Sequence, residues 1–158
     1  RALSSGNGSH LADYFSYGEI VSSPCAGVII ECVGNAPDND IGKADKVNEY
    51  GNYVIIDSGN SEYVVIAHIQ AGTLQVKVGD HIKTGEKLGI VGNSGNTTMP
   101  HIHMHVQNSP ELRSGQGLLF EFRGYSRDYF RDKSRKYQHP FAYRDVAGEM
   151  NASHFADP

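Results

Sequence analysis

Between residues 19 and 122, apolar residues do not recur at the 3.6-residue spacing of a helix. They come in short β-branched runs broken by glycine and polar turns. That pattern predicts an all-β domain. Tyr53-Val54-Ile55-Ile56-Asp57 and Tyr63-Val64-Val65-Ile66-Ala67-His68 flank Ser58-Gly59-Asn60-Ser61-Glu62. Two β-branched runs around a Gly-Asn turn predict a hairpin. In segment 19–33, Val28 to Val33 follows a Pro24-Cys25-Ala26-Gly27 turn and reads as a further β run. From Val76 to Gly92, apolar pairs are separated by Gly79-Asp80 and Thr84-Gly85. Glycine accepts positive φ without steric cost, so this density suits tightly folded short strands. More strands are expected over 101–107 and around 117–122. Residues 34–51, with Pro37-Asp38-Asn39-Asp40, read as a long surface loop, and Arg1 to His10 as a Ser/Gly-rich end.

The 158 residues make one domain with something to spare. A chain of this size buries roughly 70% of its unfolded surface, so a core needs no staples. The character changes near Ser126: the tail is charged, carries several tyrosines and phenylalanines, and has room for a short helix near Asp128 to Tyr137. The expected organisation is a domain over 1–125 and an irregular C-terminal appendage over 126–158. A net charge of -4 with interspersed signs argues against a nucleic-acid groove or a membrane-surface patch. No apolar run approaches the roughly 20 residues that span a bilayer. There is no signal peptide, and the first residue is Arg1, so a processed, excised or incomplete chain is expected. Cys25 and Cys32 would lie on opposite faces of a continuous strand, so no disulfide is expected between them; they read as small buried hydrophobes and leave the compartment open.

Pro100-His101-Ile102-His103-Met104-His105-Val106 is the most informative stretch. On a strand, alternation puts His101, His103 and His105 on one face and Ile102, Met104 and Val106 on the other. Imidazoles one residue apart on one face can converge, and neutral imidazole is a common zinc ligand. The plainer alternative is the polar side of a half-buried strand, and for His105 alone a supporting or surface role is as good a reading. His68 ends an apolar strand. Alternation places it with Ile66 and Val64, where a lone histidine is more often simply hydrogen-bonded than catalytic. His81 sits in a Gly-Asp turn and reads as solvated; His10, His139 and His154 lie in unpatterned segments.

Several segments together resemble one family. Ala67-His68-Ile69 is similar to its A-H-L strand end, and Val78 to Gly89 to its V-G-D-x-V-x-x-G-x-x-L-G segment. Gly92-Asn93-Ser94-Gly95-Asn96-Thr97-Thr98-Met99-Pro100-His101-Ile102-His103 resembles its G-N-S-G-N-T-x-x-P-H-L-H segment. Ser23-Pro24-Cys25-Ala26-Gly27-Val28-Ile29 resembles its A-P-x-D-G-x-V turn, with Ala26 where Asp is usual. The family is the lysostaphin-type (LytM-like) zinc metalloendopeptidases, and the resemblance runs from about Tyr14 to about Gln107.

The resemblance implies two facing antiparallel sheets of barrel-sandwich type around a groove. It implies one Zn2+ bound by an upstream His, an Asp four residues later and His103, with His101 and His68 catalytic, flanking a metal-bound water. It implies cleavage of peptidoglycan cross-links or stems, and a secreted, periplasmic or cell-envelope setting. The upstream H-x-x-x-D pair has no exact counterpart: His10 and Asp13 are three residues apart, and an ordinary loop is the preferred reading of them. The chain as given is therefore expected to bind zinc weakly. The groove is expected to be open and polar, with loop 34–51 as a wall whose partial deletion over 36–46 leaves the fold intact. A non-catalytic cell-wall-binding or regulatory relative is the alternative. A biotinyl- or lipoyl-type carrier is a third reading of 76–92, requiring a lysine among Lys77, Lys83 and Lys87 at an exposed tip.

Overall fold

The computed structural model describes residues 3–122. Apart from a 3-10 turn at Leu11–Asp13, the regular elements of these residues are strands. In chain order they are β1 (Ile20–Ser22), β2 (Gly27–Val33), β3 (Tyr53–Gly59), β4 (Glu62–Ala67), β5 (His81–Ile82), β6 (Lys87–Ile90), β7 (His103–Gln107) and β8 (Gly117–Leu118). β1 and β6 form a two-stranded sheet; the other six form an antiparallel sheet in the order β5-β2-β3-β4-β7-β8. The fold is thus all-β with two antiparallel sheets, as the sequence predicts. The helix expected near Asp128 to Tyr137 lies outside the described residues.

The β3–β4 hairpin follows its sequence closely. Gly59 pairs with Glu62, and Asn60 and Ser61 both adopt positive φ (54° and 58°). Two central residues of that hand match the right-handed twist of the strands. Segment 19–33 is two strands in different sheets. β1 pairs with β6, whereas β2 pairs with β3 and β5. The Pro24 turn between them carries the chain from one sheet to the other. Both cysteines are free thiols.

The main core lies between the sheets. Val21 of β1 and Leu88 of β6 meet Ile29, Val54, Ile56, Val64, Ile66 and Val106 of the large sheet. Each fully buried Ile or Leu contributes about 1.5–3 kcal/mol by leaving water. Ile55, Val65 and Ala67 alternate with these residues and are also fully buried, facing the other way.

Asp80 donates its backbone N–H to Lys77 O, and Glu86 to Lys83 O, so the turn tips are Val78-Gly79 and Thr84-Gly85. Neither tip carries a lysine, which removes the feature that a carrier domain needs.

Loop 34–51 is not a free wall. Asn39 and Asn93 exchange hydrogen bonds (Asn39 N–H to Asn93 O, 3.0 Å; Asn93 Nδ2 to Asn39 O, 2.8 Å). Asp45 N–H and Asn39 Nδ2 both donate to Gly95 O, Gly42 N–H to Thr98 O, and Asn96 N–H to Glu49 O. The loop is laced along residues 93–98, which lead into the histidine strand. Deleting part of 36–46 would strip some of these bonds, so such a deletion should also cost the fold stability.

Candidate active site

β7 carries its histidines as alternation requires. Ala67 is in register with His103, Val65 with His105 and Tyr63 with Gln107. His103, His105 and Gln107 therefore share a face, while Met104 and Ile102 pack against the core and Val106 is buried in it. The strand starts at His103, so His101 belongs to the approach segment. That segment is pinned by Ser16 Oγ, which donates to Pro100 O at 2.7 Å.

His68 departs from its predicted side. β4 ends at Ala67, and His68 adopts a φ of 69°, a left-handed conformation uncommon outside glycine. The chain turns there, and the ring leaves the Ile66/Val64 side to stand 4.8 Å from His101 and 6.0 Å from His103, centroid to centroid. The strained backbone is held from three directions: His68 N–H donates to Tyr50 O, Gly92 N–H donates to His68 O, and the ring Nδ1 lies 2.8 Å from Ser94 O. Strain so held at a side-chain cluster is typical of functional sites.

The structure thus brings His68, His101 and His103 together. A carbonyl can only accept, so His68 Nδ1 must donate to Ser94 O, and His101 Nδ1 to Met99 O at 2.8 Å. In its neutral form each ring then keeps a lone pair at Nε2. Thr97, buried, stands 3.1 Å from His101 Nδ1 and helps fix that ring. His103 Nε2 lies 2.9 Å from His105 Nδ1, and His105 Nε2 3.1 Å from Gln107 Oε1.

Burial pushes the His68 imidazole down to about 4 from its ordinary 6.5; the neighbouring His101 and His103 add to the shift, against the opposing effect of the Ser94 hydrogen bond. Burial, then His105 and His101, also hold His103 below its ordinary value. The consequence is a pH-dependent stability. The unfolded chain takes up a proton at His68 near pH 6.5, which the folded chain resists until about pH 4. Stability of the metal-free protein is therefore full above pH 6.5 and falls as the pH drops towards 4, by up to about 3 kcal/mol. Urea unfolding across that range checks this. His68→Asn, which tolerates positive φ, should flatten the decline, and an unchanged slope would contradict the assignment.

Zinc requires deprotonated donors, and imidazole is of the right type. The set is incomplete, however: among the described residues, no three or more His, Cys, Asp or Glu side chains form a group able to hold a metal ion. His10 and Asp13 bond to each other. They cap the 3-10 turn, with His10 N–H donating to Asp13 Oδ2 at 3.2 Å. His81 is exposed, as expected of its turn.

Sequence reasoning missed several neighbours. The Tyr50 ring lies 6.4 Å from His103 and 6.2 Å from His105, and 6.0 Å from Tyr53, whose hydroxyl donates to Glu31. Nothing in the pattern of loop 34–51 marks Tyr50. Gln107 was reachable, because it continues the alternation of 101, 103 and 105. Asn52, fully buried, binds Ala36 and Ile69 through its amide and ties the loop to the end of β4.

The chain is similar to several known proteins. The endolysin 2638A of Staphylococcus phage 2638A is 32% identical over 75 residues, covering 44% of this chain and 15% of the phage protein. The peptidoglycan DD-endopeptidase ShyA of Vibrio cholerae is 38% identical over 56 residues, covering 35% of this chain and 13% of that protein. The chain thus spans less than a sixth of either relative's length. Among solved structures, the catalytic domain of the antimicrobial peptidase lysostaphin from Staphylococcus simulans superposes with a TM-score of 0.48 at 21% identity, covering 74% of this chain and 85% of that one. Residues 12–125, well over half of the sequence, match Peptidase family M23; the matched span takes in Asp13, the three converging histidines and Gln107. The chain belongs to peptidase family M23.

Proposed function

We propose that residues 1–125 form a zinc-dependent endopeptidase domain acting on peptidoglycan stems or cross-links at the cell envelope, with 126–158 as an extension to it. The observation that carries this reading is the convergence of the His68, His101 and His103 rings around the end of β4. His103 would hold the metal. When bound, zinc supplies Lewis acidity and brings the pKa of a coordinated water from 15.7 to roughly 7. The chain's own residues do the rest. His68 and His101, each with a free Nε2, accept a proton from the attacking water or, once protonated, hydrogen-bond the oxyanion that develops on the scissile carbonyl. Relatives named as an endolysin and a peptidoglycan DD-endopeptidase support the substrate class. An envelope substrate would place the domain in the envelope or outside the cell. No helix among the described residues is long and apolar enough to cross a membrane.

The incomplete donor set favours a second reading, a non-catalytic relative that binds the cell wall or regulates another enzyme. Incubation with purified peptidoglycan and added zinc decides between them. The endopeptidase reading expects new amino groups to be released, and their loss in His101→Ala. Sedimentation with the wall and no release at saturating zinc would support the second reading instead.

A further inference from the structure

We infer that Gln107 and His105 form a positioning pair that fixes His103 as its Nε2–H tautomer and so leaves Nδ1 as that ring's one free lone pair. The argument starts at Gln107, which is nearly fully buried. Its Nε2 lies 2.7 Å from Ser109 O and 3.0 Å from Glu111 O. Both are carbonyls, so the amide NH2 must face them, and Oε1 must face His105. An amide oxygen only accepts, so His105 Nε2, 3.1 Å away, carries hydrogen and donates. A neutral His105 then has its lone pair at Nδ1. That atom lies 2.9 Å from His103 Nε2, so His103 Nε2 must be the donor. One orientation, set by two backbone carbonyls of the 108–116 loop, propagates through two rings.

The alternation of β7 makes the chain possible. Residues 103, 105 and 107 stand on one face, each about 6.6 Å from the next along the strand, and the His103 and His105 rings lie 5.1 Å apart. The pair also orients His103, because a donated N–H fixes the ring plane as well as the tautomer. Partners of this kind commonly govern how well a histidine binds a metal. That consequence rests on the proposed zinc reading; the tautomer itself does not.

The test uses the metal-free protein, labelled with 15N and held at a pH where imidazoles are neutral. Long-range imidazole correlations should show His103 protonated at Nε2 alone, with a coupling across the hydrogen bond to His105 Nδ1. His105→Leu should release the ring into a mixture of tautomers, and His105→Gln, whose amide oxygen can accept from His103, should restore the single form. A wild-type His103 protonated at Nδ1, or a tautomer population that His105→Leu leaves unchanged, would overturn the inference. Zinc affinity of the folded variants separates this from the functional reading. His105→Leu should weaken it by roughly 10–100-fold and His105→Gln should recover it. If the tautomer shifts but zinc affinity does not, the pair stands and His103 is not the ligand.

Discussion

His103→Ala should lower zinc affinity by roughly 100-fold or more, while His101→Ala leaves it within a few-fold. The magnitude is set by one ligand's share of a complete zinc site, about 3 kcal/mol of about 10–16 kcal/mol over four ligands; with fewer ligands present, each carries a larger share of a weaker total. His101 is already committed at Nδ1 to Met99 O, and in the proposed chemistry its free Nε2 faces the reacting groups. Its loss should therefore appear in turnover, by about 10²–10⁴-fold, the usual contribution of a positioned acid or base. His68 needs a subtler variant, because alanine would be strained at its φ of 69°. His68→Asn keeps the backbone and removes the imidazole. Calorimetric zinc titration and peptidoglycan turnover, measured on the same preparations, check the split. Equal losses of zinc affinity in the His101 and His103 variants would show that the roles have been carried over to the wrong positions.

Gly51→Ala should destabilise the domain by more than about 3 kcal/mol, a fall in Tm of roughly 10 °C or more. Gly51 is buried with a φ of 59°, and an added Cβ would stand 2.3 Å from Ser94 C, 2.5 Å from Ser94 O and 2.6 Å from Gly95 N. All three are backbone atoms, so no side-chain rotation relieves the clash. Ser94 O is also the acceptor that holds His68 Nδ1, and the carbonyl of Tyr50, next to Gly51, receives the His68 N–H. The substitution therefore strikes at the scaffold of the site. Gly59→Ala is the control. Its φ is 91°, but a Cβ there meets nothing within 4 Å, so only conformational strain of about 1–2 kcal/mol is expected. Thermal unfolding of the two variants should differ clearly; equal shifts would mean that loop 34–51 yields where the structure has it packed against 93–98.

Much of this was legible before any coordinates. Alternation along 101–107 assigned the faces of β7 correctly because the strand is regular from His103 on and its apolar residues have a core to enter. The hairpin was legible because Gly59-Asn60 states a backbone conformation as well as a polarity. His68 was misplaced because alternation holds only while the chain stays extended, and one residue at positive φ reverses the side. The lacing of 38–49 onto 93–98 was invisible for a different reason. Those bonds join asparagines, aspartates and backbone groups that have no period, and a polar loop reads the same whether it is solvated or strapped down. The split of 19–33 between two sheets was hidden too, since a turn at Pro24 does not say which partner each side will find. His10 and Asp13 had the right chemistry at nearly the right spacing, and in the structure they serve to cap a turn.

As proposed, His103 anchors a zinc site for which the described residues supply too few ligands. Zinc content after dialysis, measured against total protein, tests it most directly. Zinc added to the chain should bind reversibly, dialysis should leave well under an equivalent, and His103→Ala should abolish what binding there is. A full equivalent retained through dialysis, lost on Asp13→Asn or His10→Ala and unaffected by His103→Ala, would contradict it.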